Sequence, residues 1–183
     1  MAYLIVEIIA VITAILYLML AAREDVRCWY AAIISSALYF YIMYKAGLFM
    51  EAYLQIFYII MALYGWLNWT NLFSLRKEYN IRVWSNLNHL LAIGIIISLA
   101  LISGLFLEKY TNAALPFIDA LTTWGAIITT YMVAQKILEN WIYWFVIDAI
   151  SIYRFVSREL YLTAILFFIY LIIICFGYSS WKK

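Results

Sequence analysis

The chain has 183 residues, 69% hydrophobic and 12% charged, with a formal net charge of +2. Soluble domains carry about a quarter charged residues, so this composition excludes one and points to a polytopic membrane protein. Nucleic acid is excluded as a partner, because the longest local basic cluster is Arg76, Lys77 and Arg82 in one loop.

A hydrocarbon core about 30 Å thick takes about 20 apolar residues to cross. Seven segments meet that demand, predicting helices over 3–22, 27–45, 51–71, 87–107, 113–134, 139–157 and 160–179. The first lacks a basic lead and a small-residue cleavage site, so it reads as a retained helix rather than a signal peptide. The connections are short except Asn71–Asn86, which holds most of the polar sequence. Any chemistry is therefore expected inside the helix bundle. Cys28 and Cys175 have no metal-type spacing and read as packing residues.

Lys and Arg counts in the loops set the expected orientation. One side would carry Lys45, Lys109, Arg154 and Arg158. The other would carry Arg23, Arg27, Arg76, Lys77, Arg82, Lys136, Lys182 and Lys183. Four against eight places the N-terminus outside and the C-terminus in the cytoplasm.

The chain also repeats itself. A single ungapped shift lays Trp29 on Trp141, Tyr41 on Tyr153, Tyr58 on Tyr170, Gly65 on Gly177 and Trp69 on Trp181. Alanine and leucine recurrences add to this, including Leu48 on Leu160. Trp and Gly are scarce enough that the shared W-x(35)-G-x(3)-W pattern is informative. Two three-helix copies joined by one linking helix would lie parallel, a 3+1+3 plan with the site near the midplane. The expected divisions are 1–71 for the first copy, 72–112 for the cytoplasmic loop and linking helix, and 113–183 for the second.

Polar groups inside a span are costly and need a reason. Gln55, Asn68, Asp119, Asn140 and Asp148 are such groups, whereas Glu7 and Glu51 lie near helix ends. Arg154 is expected to snorkel outward from helix 6. Asn140, Trp144, Asp148 and Ser151 are spaced four, four and three, which puts them on one helical face. For Asp148 two roles fit: an interhelical hydrogen bond to a hydroxyl, or lining a substrate cavity. In helix 3, Gln55, Tyr58, Ala62, Trp66 and Trp69 form a second stripe. Trp29, Trp84 and Trp181 lie near loops and read as interfacial anchors, and Trp66, Trp141 and Trp144 fit either anchor or site. Aromatic faces beside a carboxylate suit a flat cationic ligand. The single His89 has no metal-ligand neighbours, and no G-x-S-x-G, Walker A or H-E-x-x-H occurs. The residues thus point to a small-molecule transporter without a cofactor or metal, not to an enzyme. Because Asn140, Trp144 and Asp148 lie opposite Cys28, Ala32 and Ser36 in the first copy, the site is expected to lean toward helix 6.

Several motifs in order resemble the PnuC family of bacterial vitamin transporters over essentially the whole chain. They are V-E-I-I-A-V-I-T, A-A-R-E-D-V-R-C-W-Y, L-Y-F-Y-I, L-Q-I-F-Y, Y-G-W-L-N-W, E-N-W-I-Y-W with its later Asp, and F-G-Y-S-S-W. The resemblance implies an all-α, seven-helix 3+1+3 bundle like a full-length form of the SWEET sugar transporters, assembled as a homotrimer in the bacterial inner membrane. It implies import of nicotinamide riboside by facilitated diffusion, with a cytoplasmic kinase trapping the product. Thiamine import, as in a related subgroup, is the alternative, and a vitamin-binding subunit of an energy-coupled importer is a second class. Carried over, the substrate residues would be Asn140, Trp141, Trp144, Trp66 and Trp69, with Gln55, Tyr58, Asp119, Thr122 and Asp148 as neighbours. Asn68 departs from the bulkier residue expected between the helix 3 tryptophans, which leaves the subgroup open.

Overall fold

A computed structural model describes residues 2–45, 49–70, 80–111, 115–157 and 161–183. Arg76, Lys77, Arg158, Leu48 and Leu160 lie outside the described residues, as does the side chain of Glu51. Within them the chain forms seven α-helices: α1 Ala2–Ala22, α2 Cys28–Lys45, α3 Phe49–Trp69, α4 Asn86–Tyr110, α5 Pro116–Ala134, α6 Asn140–Val156 and α7 Tyr161–Trp181. At 1.5 Å per residue, 21 residues span about 31 Å, the thickness of the hydrocarbon core. Of these, α1, α4, α5 and α7 are long and apolar enough by composition to cross a membrane. The other three carry Ser35, Ser36, Gln55, Asn68, Asn140, Asp148 and Ser151, whereas Asp119 lies on α5.

Local chemistry explains the helix ends. Ser85 caps α4 by accepting from the Asn88 backbone N–H. Pro116 opens α5, where the missing N–H costs nothing. α1 and α5 end in the same turn, with Glu24 (φ 56°) and Lys136 (φ 50°) in the left-handed region. The Asp25 N–H then reaches the Leu20 carbonyl at 3.0 Å, and the Ile137 N–H reaches that of Met132 at 2.9 Å. This is the Schellman closure, built without its usual glycine, at two positions that the sequence shift lays on one another. Inside the helices, Thr13, Thr122, Thr129 and Thr130 donate to carbonyls one turn earlier, so their hydroxyls survive in apolar surroundings.

Helix neighbours define the architecture. α2 packs between α1 and α3, α6 packs between α5 and α7, α1 meets α7, and α3 meets α5. Six helices therefore close a ring, and α4 rests outside it mainly against α5, with His89 reaching Tyr143 of α6. The α4 face turned to α5 is Ala92, Ile96, Ala100 and Gly104, all buried. Phe117 lies on Gly104, and the Trp124 indole donates to the Ser103 hydroxyl at 2.7 Å. Most other α4 positions, from Leu87 to Phe106, are exposed apolar side chains suited to lipid.

One end of the ring is closed by tryptophans. Trp29 and Trp181, expected as interfacial anchors, are 1% and 2% exposed, because each is drawn into a cluster with Trp69 and Trp141. Trp29 meets Trp69 edge-on at 5.3 Å, and Trp141 meets Trp181 edge-on at 5.4 Å. Trp84, the third expected anchor, is half-buried against His89. Gly65 and Gly177 make the close approach possible: a Cβ at Gly177 would lie 2.6 Å from the Trp141 ring, and one at Gly65 would overlap Trp29. The segment before α4 is fastened to the same end. Arg82 and Leu138 exchange backbone bonds of 2.8 Å around Ile137, with the Arg82 N–H reaching the Lys136 carbonyl and the Leu138 N–H that of Arg82. The Trp84 N–H donates to Glu139. Of the two cysteines, Cys28 is buried in this cluster and Cys175 faces outward.

Gly177→Ala is expected to destabilise the purified protein by about 1–3 kcal/mol, the usual effect of overpacking. Gly94→Ala, whose added Cβ meets nothing within 4 Å, is expected not to. Thermal unfolding midpoints in detergent check both.

Candidate functional site

Within the ring lies a partly open cavity of about 210 Å³ lined by Ala14 and Tyr17 of α1, Trp29, Ala32, Ser35 and Ser36 of α2, Tyr58 and Ala62 of α3, Thr130 of α5 and Trp144 of α6. The α6 stripe is the face that helix turns inward: Asn140, Asp148 and Ser151 are buried and Trp144 is half-buried. The α3 stripe also faces in, with Ala62 and Trp69 buried and Gln55, Tyr58 and Trp66 half-buried. Inward orientation and cavity lining are different matters, and the structure separates them.

Two of the ten sequence-predicted site residues, Tyr58 and Trp144, line the cavity. Asp148 lies one turn beyond Trp144, is 5% exposed, and makes no hydrogen bond among the described residues. Trp69 and Trp141 belong instead to the closed end: Trp69 donates to the Val133 carbonyl at 3.2 Å, and Trp141 lies on Gly177. Trp66 packs on Tyr30 at 6.2 Å. Asn140 is fully buried at the start of α6, its amide donating to the Ile137 carbonyl at 2.6 Å while its Oδ1 has no partner among the described residues. Thr122 donates within α5, and Gln55 is half-buried on α3 outside the lining.

Asp119 is held by an ion pair. The Arg154 guanidinium donates to its Oδ1 at 3.2 Å, tying the first turn of α5 to the end of α6. This corrects the expectation that Arg154 snorkels outward; a carboxylate within reach competes better than distant water. Asn68 donates to the Ala134 carbonyl at 3.5 Å, a contact between α3 and α5. His89 contacts the Tyr143 hydroxyl at 3.0 Å and lies 3.8 Å from Glu139, a polar cluster beside the closed end. Among the described residues no group of three metal-ligating side chains forms.

Sequence reasoning missed most of the lining. Eight of its ten residues come from α1–α3, so the cavity leans toward the first half and not toward α6. Small residues create it: Ala14, Ala32 and Ala62 leave room that a larger side chain would fill. Ala32 and Trp144, which the sequence shift lays on one another, both line the space, so the missing bulk on one side is met by an indole on the other. The polar groups divide in two. Ser35 donates to the Ala10 carbonyl at 3.2 Å, and Thr130 to that of Ala126 at 2.7 Å. Among the described residues the Tyr17, Tyr58 and Ser36 hydroxyls and the Trp29 indole N–H have no protein partner. No Lys, Arg or His among the described residues lines the cavity.

A closed helical ring around an aromatic, hydroxyl-bearing cavity is what a small-molecule transporter needs, and a sequence model described as the nicotinamide mononucleotide transporter matches residues 4–183. The chain belongs to that family. It is a membrane transporter and not an enzyme. Similar curated proteins are the nicotinamide riboside transporters PnuC of Escherichia coli strain K12 and of Shigella flexneri. Each is 23% identical over 202 residues, covering 96% of this chain and 84% of the relative. A crystal structure of the vitamin B3 transporter PnuC superposes with a TM-score of 0.76 at 20% identity, covering 96% of this chain and 79% of that one. That likeness establishes the fold.

Removing one member of the Asp119–Arg154 pair leaves a charge without its partner inside the helical region. Asp119→Asn is therefore expected to lower the unfolding midpoint, and Asp119→Asn with Arg154→Gln to recover part of it. A double-mutant cycle on purified protein checks this.

Proposed function

We propose that this chain carries nicotinamide riboside across the bacterial inner membrane, and that the cavity between α1, α2, α3, α5 and α6 is its substrate site. The observation that carries the reading is the composition of the lining: indole and phenol faces, unpartnered hydroxyls, an acidic group nearby and no cation among the described residues. The pyridinium ring of the riboside is permanently positive. Aromatic faces attract such a ring by about 0.5–2 kcal/mol each. The ribose and carboxamide need hydrogen-bond partners in a dry site. Tyr17, Tyr58 and Ser36 hydroxyls can accept or donate, and the Trp29 indole donates.

The same lining discriminates within the family's nominal chemistry. A mononucleotide brings a phosphate, which proteins hold with Arg, Lys or a helix N-terminus. Burying a phosphate against Ala, Tyr, Ser and Trp alone would be strongly unfavourable. The unphosphorylated nucleoside is the species that fits. The cavity is also below the about 300 Å³ at which small-molecule pockets begin, so loading requires the helices to move apart.

That movement has a natural form if the chain is built as 3+1+3. Residues 1–71 and 113–183 would be two parallel three-helix units, with 72–112 supplying the loop and the linking helix α4. Supporting this are the contacts that recur between the copies: Trp29 on Gly65 and Trp141 on Gly177, and the paired edge-on tryptophans. On this reading all seven helices cross the membrane, the C-terminus is cytoplasmic, and rocking of the two units exposes the site to each side in turn. No nucleotide-binding motif occurs in the sequence. Without it, transport must use a gradient or trapping of the product, and the reading adopted is facilitated diffusion completed by phosphorylation of the riboside in the cytoplasm.

Competition binding to purified protein is expected to rank nicotinamide riboside above thiamine, with nicotinamide mononucleotide weakest by at least about tenfold, one uncompensated polar burial. Equal affinity for the mononucleotide would refute the site. Trp144→Ala is expected to weaken riboside binding about tenfold by removing the half-buried indole, while Trp66→Ala, which lies outside the lining, leaves it within about twofold. In vesicles containing a riboside kinase and ATP, uptake is expected to persist after the proton and sodium gradients are dissipated. Loss of uptake there would replace facilitated diffusion with ion coupling.

A further inference from the structure

The closed end of the ring contains an arrangement that the substrate site does not use. Trp69 donates to the Val133 carbonyl at 3.2 Å and Trp181 to the Ala21 carbonyl at 3.0 Å. The two donors hold equivalent positions in the copies, and so do the two acceptors, so each half reaches across to the same carbonyl of the other. Between them, Lys136 Nζ lies 3.0 Å from Glu24 Oε2. Glu24 and Lys136 are equivalent positions as well, so the ion pair straddles the line about which the halves correspond.

Three further observations single this pair out. Both residues are non-glycine side chains in the left-handed region, at φ 56° and φ 50°, a conformation proteins keep where the surroundings enforce it. The Lys136 side chain is 12% exposed and its ammonium lies 4.9 Å over the Trp69 ring, so the ion pair is laid on the tryptophan cluster. Trp29, edge-on to Trp69, also lines the cavity. Cavity, tryptophans and ion pair are therefore stacked in that order toward the end that carries Trp181, Lys182 and Lys183. For a solute to leave the cavity through that end, the halves must part where Glu24 and Lys136 hold them.

We propose that Glu24 and Lys136 are gating residues of transport, a lock between equivalent turns of the two halves that closes the C-terminal end of the substrate pathway. Opposite charges at equivalent positions attract across the axis, where identical residues would repel. The strained turns give the lock its reach: the left-handed residue projects its side chain toward the opposite turn, which an ordinary helical continuation would not. The proposal rests on the cavity being the transport pathway and is independent of which vitamin is carried.

The test reads accessibility instead of uptake. Cys28 and Cys175 are replaced by Ala, and Ala14→Cys places a single thiol in the cavity wall. A membrane-impermeant thiosulfonate reagent is applied to the C-terminal face of reconstituted protein. Glu24→Gln and Lys136→Gln are each expected to speed labelling about fivefold, the upper range for a partly exposed ion pair. The exchange Glu24→Lys with Lys136→Glu is expected to return the rate toward that of the parent. Glu24→Gly suits the left-handed backbone while removing the whole side chain with its charge, so it too should label faster with an unfolding midpoint no lower than the parent's. Unchanged labelling in the single variants, or an exchange variant as fast as either single, overturns the lock. If nicotinamide riboside fails to bind while labelling follows the expected order, the substrate assignment falls and the gate stands.

Discussion

Two indole hydrogen bonds that cross between the halves are the constraint on which the rest of the bundle depends. The carbonyls of Ala21 and Val133 sit in the last turns of α1 and α5, where helical carbonyls lose their own partners. Each accepts twice, from the N–H of the left-handed residue three positions on and from the tryptophan of the opposite half. Where water is scarce an indole N–H without a partner is expensive, so Trp69 and Trp181 are held in place. Fixing Trp69 and Trp181 in turn fixes Trp29 and Trp141 edge-on beneath them, and these need Gly65 and Gly177. One pattern of Trp and Gly thus determines how α1, α2, α3, α5, α6 and α7 meet at one end.

Above that end the correspondence between halves relaxes, and function enters through the differences. Position 32 is Ala where position 144 is Trp, and position 36 is Ser where position 148 is Asp. Had both halves kept the larger residue, indoles would fill the space; had both kept the smaller, a wider cavity would have lost its aromatic wall. The asymmetry leaves a space with an aromatic wall on one side and small residues on the other. It also places one buried carboxylate instead of two, avoiding the repulsion of like charges in a low-dielectric interior.

The sequence made the helices legible because about 20 apolar residues in a row have few alternatives. It made the inward faces of α3 and α6 legible because polar residues at helical spacing must avoid lipid. The tryptophans were harder. Trp29 and Trp181 lie beside loops, where interfacial anchoring is the ordinary explanation, and only the recurrence of Gly65 at Gly177 hinted at burial. Arg154 likewise depends on Asp119, 35 residues away on another helix. The cavity was least legible of all. Ala14, Ala32 and Ala62 matter for what they leave empty, and a sequence displays polar groups far more plainly than missing volume. Trp144 and Tyr58 stood out by chemistry; Ser36 and Tyr17 did not, in a chain with 17 tyrosines.

The lack of a cation among the described lining residues bears on direction as well as selectivity. On the proposed reading, a site that accepts a cationic nucleoside gains its affinity from indole and phenol faces, which favour entry from either side alike. Nothing in the cavity then makes import irreversible. On that reading phosphorylation would, because it adds to the solute the group for which the lining has no partner, so the phosphorylated product would be refused re-entry. Selectivity against the nucleotide and net inward movement would then follow from one property, a cavity lined by Tyr, Ser, Thr, Trp and Ala with no basic side chain among its described residues.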